Sequence, residues 1–269
     1  MPKPSRRNLL AICAVLISAA LLLTWAHVQA KTEAPLTVTV SAATPVFTPR
    51  VALAQPGQTV VIANSSGQDL QVRTTPHNPA SFQIDVPAGG SARLTLTTPG
   101  LYHFYDAATA QVIDYQAGND VVHALPGAPD AALPDQGWLF VPGGGGVPTD
   151  QRIMVPSSHD LLAPRVAVVR VGGSVLFHNH DTDAHNLVTD PADPAGAAFE
   201  LLGTDGEPAL GGAERRVTFT APGLYHVYCS IHARIVGHAG GWQVVVPRDD
   251  NATGFADGDP MESWILVLS

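Results

Sequence analysis

Cysteine is almost absent from this sequence of 269 residues. Only two occur, and Cys13 lies inside an apolar N-terminal run, so Cys229 is the only cysteine in the rest of the chain. If that run is removed, no intramolecular disulfide can form, and a free accessible thiol is easily oxidised in an oxidising compartment. Cys229 is therefore expected either to be buried and inert or to be held by a metal ion.

Charged side chains and catalytic motifs are also scarce. Charged residues make up 14% of the chain, with 14 basic against 23 acidic. An acidic protein repels nucleic acid and anionic lipid, so we expect no nucleic-acid partner. The sequence has no Gly-x-Ser-x-Gly, no His-Glu-x-x-His and no phosphate-binding glycine loop. The His-x-His at 178–180 lacks the His-Cys-His that a trinuclear copper cluster needs. These absences argue against an enzyme.

A long apolar run occurs only at the N-terminus. Arg6 and Arg7 precede the apolar segment 9–23, and small residues follow up to Ala30, a pattern typical of a signal peptide over residues 1–30. The paired arginines resemble twin-arginine leaders, and an uncleaved anchor is the alternative. Loss of this segment would leave 11 basic residues and a net charge of about −12. We predict a periplasmic or extracellular protein that contacts a membrane only if the leader is retained.

One sequence pattern occurs twice. Residues 46–64 and 161–179 each contain Pro-Arg-Val, an alternating apolar stretch, a Gly turn and a final Asn. The stretches RLTLTTPGLYHFYDA at 93–107 and RVTFTAPGLYHVYCS at 216–230 match more closely. Period-two alternation with a turn about every ten residues is typical of β-sandwiches. We therefore predict an all-β protein with two tandem sandwiches.

The predicted domain boundaries follow from this repeat. The first sandwich is expected over residues 35–122 and the second over residues 151–248. Residues 123–150 are rich in Pro, Gly and Ala and are predicted to be a linker, whose GWLF stretch at 137–140 docks on a domain. Residues 249–269 are predicted to be a tail with a possible last strand, SWILVLS.

Two histidines can converge on Cys229. Alternation places Tyr225, Val227 and Cys229 on one face of a strand, so the thiol lies at the inward end of a buried strand. His232 follows in the next loop, and His185 comes just after another predicted strand. Two imidazoles and a thiolate in a trigonal set, with a weak axial ligand, form a blue copper site. We therefore predict one mononuclear copper ion at these three ligands.

These residues resemble the cupredoxin family, the plastocyanin and amicyanin-like blue copper proteins. The stretch AHNLVTD followed by PGLYHVYCSIH carries the resemblance. His185, Cys229 and His232 match the ligand positions, and Asn186 matches an asparagine that pins the ligand loop. The resemblance implies Greek-key β-sandwiches, one-electron transfer and redox partner proteins in place of catalysis. It covers residues 151–247 closely and residues 35–122 in scaffold alone.

The axial ligand departs from the family pattern. Relatives have a methionine shortly after the loop histidine, whereas residues 235–238 here are Ile, Val, Gly and His, and the nearest methionine is Met261. His238 is the predicted axial ligand and Glu207 an alternative, an arrangement that resembles the red copper nitrosocyanins. A harder ligand would lower the potential and open a position for a small molecule such as nitric oxide. Copper delivery or small-molecule binding is therefore the alternative function.

The first repeat is predicted to bind no copper. In register with the three ligand positions of the second repeat, it retains the strand pattern but replaces every ligand. Leu70 stands at the position of His185, Asp106 at that of Cys229 and Thr109 at that of His232.

Overall fold

Strands supply the regular structure of the residues described here, as the alternating sequence predicts. The computed structural model describes residues 33–42, 44–116, 118–127, 135–157, 161–193, 200–204, 206–239, 241–248 and 260–269. The leader predicted over residues 1–30 lies outside these ranges. Within them, no helix is long and apolar enough to cross a membrane.

The first repeat forms two facing sheets and a hairpin. Its strands are β1 (Leu36–Ser41), β2 (Thr44–Thr48), β3 (Val51–Leu53), β4 (Thr59–Ser65), β5 (Leu70–Thr74), β6 (Gln83–Val86), β7 (Ser91–Thr95), β8 (Gly100–Asp106), β9 (Ala110–Gln116), β10 (Asn119–Ala124) and β11 (Gln136–Val141). The sheets have the orders β2-β1-β4-β7 and β3-β11-β8-β5-β6, and β9 pairs with β10. Alternate apolar side chains fill the space between the sheets, among them Ile62, Val72 and Phe104.

The second repeat has the same architecture. Its strands are β12 (Asp150–Val155), β13 (Val166–Arg170), β14 (Ser174–Asn179), β15 (Leu187–Thr189), β16 (Glu200–Leu202), β17 (Glu214–Thr218), β18 (Gly223–Cys229), β19 (Ala233–Ala239), β20 (Trp242–Pro247) and β21 (Glu262–Leu268). The sheets have the orders β12-β14-β17 and β13-β21-β18-β15-β16, and β19 pairs with β20. Each strand has a counterpart in the first repeat, where β2 is extra. The predicted all-β fold of tandem sandwiches is confirmed.

Two segments that the sequence placed outside the sandwiches supply a central strand to each. Strand β11 lies within the predicted linker and pairs with β3 and β8. Strand β21 lies within the predicted tail and pairs with β13 and β18. In the first repeat the β9–β10 hairpin lies between β8 and its partner β11, and in the second the β19–β20 hairpin lies between β18 and its partner β21. Strands β11 and β21 therefore come late in the sequence of each repeat. Turn-rich connections then make a strand look like a separate segment.

The two sandwiches pack through equivalent outer surfaces. One apolar cluster contains side chains from β3 and β11 of the first repeat and from β13 and β21 of the second. Because the same strands contribute from each side, the contact is approximately two-fold, like the interface of a symmetric dimer. The Arg165 N–H also donates to Asn119 Oδ1 across it, at 2.9 Å. The buried residues of the cluster are Val51, Trp138, Val166, Val168, Trp264 and Leu266.

Candidate metal centre

The strand β18 delivers Cys229 to the edge of the second core. Tyr225, Val227 and Cys229 are buried in one apolar cluster, as alternation predicts. The thiol-bearing residue pairs with Leu187 of β15 on one side. On the other side its backbone N–H donates to the Met261 carbonyl at 3.0 Å. Cys229 is therefore fixed by strands on both sides, and its side chain has no exposed surface.

Three side chains that can bind a metal ion meet at this point. The Sγ atom of Cys229 lies 3.8 Å from His185 Nδ1 and 3.5 Å from His232 Nδ1. The two Nδ1 atoms are 3.1 Å apart. Among the described residues, this is the one cluster of three or more His, Cys, Asp or Glu side chains with ligand atoms this close. The structure thus brings together the three ligands that the sequence predicts.

The donor set fits a copper ion. With metal–nitrogen bonds of about 2.0–2.1 Å and a metal–sulfur bond of about 2.3 Å, ligand atoms around one ion are roughly 3.3–3.8 Å apart. The separations between the sulfur and the two nitrogens lie in that range. A soft thiolate with two imidazoles is a donor set that suits copper. The buried Cys229 and His185 close the site on the side of the core.

The thiol of Cys229 is prepared for the thiolate form. Burial raises its pKa, but the contacts with His185 and His232 and the backbone N–H of Asn186 lower it more, to about 6. A metal ion binds the thiolate rather than the thiol, so a lowered pKa reduces the cost of releasing the proton. This cysteine differs from an inert buried one, whose pKa would only be raised.

His185 is held in position by its neighbours. Its Nε2 lies 3.3 Å from the Asp181 carboxylate, which leaves Nδ1 directed at the cluster. Its backbone forms two hydrogen bonds with Ala209, of 3.0 and 2.8 Å. Gly203 has a φ of +76°, and a Cβ there would lie 2.8 Å from the His185 carbonyl oxygen. Glycine is therefore required where this loop passes behind the histidine.

Asn186 connects the two ligand-bearing segments. Its side-chain Nδ2 donates to Ser230 Oγ at 2.8 Å, and its carbonyl accepts the Ser230 N–H at 2.9 Å. These bonds tie the residue after His185 to the residue after Cys229. These bonds are the ones expected of a residue that pins the ligand loop, which is the role predicted for Asn186.

His238 and Glu207 lie outside the cluster. His238 is an exposed residue of β19, opposite Gln243 of β20. Glu207 is exposed in a turn where its N–H and carbonyl bond to Thr204. The chain after His232 enters the β19–β20 hairpin. Strand pairing in this hairpin fixes the position of His238 and keeps it away from the three ligands. Neither predicted axial residue is brought to Cys229.

Met261 is the residue that the sequence argument passed over. It precedes β21, is buried in the same apolar cluster as Cys229, and stands directly opposite it. Directly opposed residues of an antiparallel pair project to the same face of the sheet, so the Met261 and Cys229 side chains share the core face. The sequence repeat could have indicated this residue. GWLF follows β8 in the first repeat and SWILVLS follows β18 in the second, so both are expected to form the same strand, and Met261 lies just before SWILVLS.

A buried charged cluster lies on the opposite face of β18. His226 has no exposed surface; its Nε2 is 2.7 Å from Glu262 Oε2 and its Nδ1 is 3.5 Å from Asp190. Its ring stacks on Trp264 with centroids 4.1 Å apart. Burial lowers the pKa of His226, but the two carboxylates more than offset this and raise it. His103, at the same place in the first repeat, stacks on Trp138 in the same way, so we interpret His226 as a structural residue.

Comparison with known proteins agrees with this assignment. Residues 161–240 match the family described as copper binding proteins, plastocyanin/azurin family. The matched residues lie in the second sandwich and include His185, Cys229 and His232, so the match confirms the resemblance to copper-binding cupredoxins that the motifs indicate. No relative among curated proteins matches the chain at a significant level.

Several solved cupredoxins are similar to parts of the chain. A novel purple cupredoxin from Nitrosopumilus maritimus is 16% identical, with a TM-score of 0.27, over 44% of this chain and 99% of its own. A reduced auracyanin from the photosynthetic bacterium Roseiflexus castenholzii is 17% identical, with a TM-score of 0.28, over 46% and 100%. A mutant of amicyanin in its oxidised state is 14% identical, with a TM-score of 0.28, over 40% and 82%.

Proposed function

We propose that the protein is an exported electron carrier whose second sandwich holds one copper ion through His185, Cys229 and His232. The observation that carries the proposal is the convergence of these three donors on a frame of paired strands and hydrogen bonds. A frame that fixes the ligands before the ion arrives keeps nearly the same geometry in both oxidation states. Small reorganisation favours fast one-electron exchange, and copper supplies the redox chemistry.

We further propose Met261 as the weak axial ligand. A thioether is a soft donor of the kind that occupies the axial position in blue copper sites. The alternative function, copper delivery or small-molecule binding, required a hard axial ligand, and neither His238 nor Glu207 lies at the cluster. Electron transfer is the function that the donor set supports best.

Redox proteins are the expected partners, and the His232 side of the site is where they would dock. His185 and Cys229 are fully buried, whereas His232 is partly exposed. Leu210, beside the residue that bridges the His185 backbone, is 68% exposed. A partly exposed ligand gives a partner a short path to the metal, and an exposed apolar side chain on the same loop is easily desolvated.

The first test is spectroscopy of the purified protein loaded with Cu(II). An intense thiolate-to-copper absorption band with a narrow copper hyperfine splitting is expected. A spectrum without a thiolate band, or with the wide splitting of a site with harder ligands, would overturn the proposed electron-transfer site. Rapid reduction and reoxidation by redox dyes then tests whether the bound copper exchanges electrons quickly.

The axial assignment has a matched pair of variants. Met261→Leu removes the thioether at nearly constant volume, so the reduction potential is expected to rise and the splitting to change. His238→Ala is expected to leave both unchanged. The reverse result, with the spectrum sensitive to His238 alone, would restore the axial histidine predicted from the sequence.

Export is tested separately by the mass of the protein recovered from the periplasm or medium of its natural host. A mature chain that begins close to Lys31 is expected. A chain that retains residues 1–30 in the membrane fraction would support the anchor.

A further inference from the structure

Arg165 carries a buried charge at the contact between the two sandwiches. It stands in the second Pro-Arg-Val stretch, just before β13, and is only 5% exposed. Its guanidinium reaches the start of β21, where Nη1 donates to the carbonyl of Pro260 and, at 2.9 Å, to the carbonyl of Glu262. These two carbonyls lie on either side of Met261. A buried cation therefore holds both neighbours of the proposed axial ligand.

Met261 occupies a tight turn. The Glu262 N–H donates to the Pro260 carbonyl at 2.8 Å, which is the i to i+2 hydrogen bond of a γ-turn centred on Met261. A hydrogen bond that closes so small a ring is bent, and hydrogen bonds weaken as they bend. A charged donor makes a stronger hydrogen bond than a neutral one, so the two bonds from Arg165 support this turn.

The first repeat braces Arg165 through its backbone. The Arg165 N–H donates to Asn119 Oδ1 on β10, at 2.9 Å. The Arg165 carbonyl accepts the Trp264 N–H at 2.8 Å and the Ser263 hydroxyl at 3.2 Å. The backbone of the arginine is thus fixed between a side chain of the first repeat and strand β21 of the second.

The first repeat also approaches the residue after Met261. Arg50 Nη2 lies 3.4 Å from Glu262 Oε1, and Glu262 Oε2 lies 2.7 Å from His226 Nε2 on β18. Arg50 is the counterpart of Arg165 in the first Pro-Arg-Val stretch. The two equivalent arginines therefore meet the same short segment, one at its backbone carbonyls and the other at a side chain.

We propose that Arg165 is a positioning residue for the copper site and that the first repeat acts on the axial ligand through it. The inference rests on the axial ligation by Met261 proposed above. An axial thioether binds weakly, so its distance from the metal depends on the protein that holds it. His185 and Cys229 are held by bonds to the neighbouring loop and strand. Loss of Arg165 is therefore expected to change the axial contact and to leave the thiolate bond in place.

The first experiment uses the metal-free mature protein, so its result does not depend on copper. Beyond the leader, Met154 and Met261 are the only methionines, and isotopic labelling of the methyl groups gives one NMR signal for each. In Arg165→Leu, the Met261 signal is expected to move and to show a lower order parameter, because the turn has lost its charged support. Met154, on β12, is the internal reference. An unchanged Met261 signal, or equal changes in both signals, would overturn the proposal.

The second experiment measures the reduction potential of the copper-loaded protein. Arg165→Leu is expected to keep the thiolate-to-copper band and to raise the potential most of the way to that of Met261→Leu. In the double variant it should add no further change, since it acts through Met261. Loss of a positive charge alone would lower the potential, so a fall, or additive shifts in the double variant, contradicts the positioning role. Absence of the band from the wild type would defeat the proposed function, and the metal-free NMR result would still decide the role of Arg165.

Two further variants locate the effect. Arg73 of the first repeat likewise donates from Nη1 to two backbone carbonyls, those of Val72 and Ile84, at 3.0 and 3.2 Å. Arg73→Leu is therefore the matched control and should leave the Met261 signal and the potential as in the wild type. Asn119→Ala removes the brace from the first repeat, and a smaller change of the Met261 signal in the same direction is expected. No change in Asn119→Ala would remove the first repeat from the mechanism.

A lysine variant covers the case in which Arg165→Leu does not fold. In Arg165→Lys the ammonium group ends one bond short of the Nη1 position, so it cannot reach both carbonyls as the guanidinium does. The Met261 signal and the potential are expected to take values between those of the wild type and of Met261→Leu. Wild-type values for both in Arg165→Lys would refute the positioning role.

Discussion

The two repeats have the same backbone arrangement around the ends of β8 and β18, but they carry different side chains there. In the second repeat, the Cys229 N–H donates to the carbonyl of Met261; in the first, the Asp106 N–H donates to the carbonyl of Asp135, at 2.9 Å. The bond from Ser230 to Asn186 has its counterpart between Ala107 and Gln71. A metal site therefore needs no special backbone here, because substitution of a few side chains on a common frame makes it or removes it.

In the first repeat a polar network replaces the ligands. Asp106 accepts hydrogen bonds from the N–H groups of Gln71 and Ala108 and from the Thr109 hydroxyl. Asp135 accepts the Phe47 N–H at 3.0 Å. The loop that elsewhere would close around a metal ion is thus held by carboxylate–backbone bonds. A satisfied carboxylate keeps the loop shape in the first repeat, and we propose that a metal ion does so in the second.

The largest expected effect comes from making the second repeat like the first. Cys229→Asp removes the thiolate and is expected to abolish the thiolate-to-copper band and to leave no tightly bound copper, as measured by metal analysis after dialysis. Asp106→Ala in the first repeat is the matched control and should keep one copper per chain. Retention of a coloured copper site in Cys229→Asp would contradict the ligand assignment.

The next effect concerns the surface that the repeats share. Trp138 and Trp264 occupy equivalent places and stack on His103 and His226 respectively. Replacement of either by alanine is expected to lower the free energy of unfolding by about 3–5 kcal/mol, because each leaves a cavity in one common cluster. Denaturant unfolding measures this. Val171→Ala, at an exposed position, should change stability by less than about 0.5 kcal/mol.

The pattern of unfolding also bears on the comparison. A single transition is expected for the wild type and for both tryptophan variants, since the cluster belongs to both repeats. Separate transitions for the two halves would show that each sandwich is stable alone and that the shared surface contributes little.

A smaller effect separates an orienting residue from its counterpart. Asp181→Asn weakens the carboxylate contact to His185 Nε2, and copper affinity is expected to fall about 10–100-fold in a competition titration. The equivalent residue in the first repeat is Ser66. The Ser66 N–H donates to Asn64 as the Asp181 N–H donates to Asn179. Ser66→Ala should leave copper affinity unchanged. Equal affinity in Asp181→Asn would mean that the backbone bonds alone orient the histidine.

The smallest effect is a difference in proton binding. Burial lowers the pKa of His103 to about 4, and its hydrogen bond to the neutral Gln136 does not offset this. Burial also lowers the pKa of His226, but two carboxylates more than offset it and raise that pKa. NMR titration should find His103 neutral through most of the range in which an unfolded histidine, with a pKa near 6.5, is charged. Glu262→Gln gives His226 a neutral partner, as in the first repeat, and its pKa should fall.

The two histidines then affect stability in opposite directions. His103 costs stability as the pH falls from about 6.5 towards 4, because the unfolded chain takes up a proton that the native state refuses. His226 contributes stability below the unfolded pKa, and this contribution is lost as the pH rises through its raised native pKa. Equal titration of both residues would contradict the different charges assigned to their surroundings.

Local patterns in the sequence were enough to predict the sandwiches and the three converging ligands. Period-two alternation located the face of β18 that carries Cys229, and the repeat identified which positions differ between the halves. The axial residue could not be found in the same way. Spacing after the loop histidine pointed to His238, but a hairpin of 15 residues separates His232 from the rest of the sheet, running from Ala233 to Pro247. Only strand pairing returns Met261 to Cys229.

The buried arginine between the sandwiches was also beyond sequence reasoning. Arg50 belongs to a Pro-Arg-Val motif that reads as a strand end, and nothing near it in the chain is acidic. Its surroundings come from residues far away, including Glu262 and Trp264. Long-range packing of one repeat on the other decides whether such a group is solvated or buried.

The shared outer surface has a consequence for anyone who wishes to work with the copper half alone. Excision at the start of β12 would turn Val166, Val168, Trp264 and Leu266 from interior into surface, and such an apolar patch promotes aggregation. The first repeat thus keeps this apolar face of the second repeat away from solvent. A minimal copper module would need polar replacements on that face before it could be handled as an independent protein.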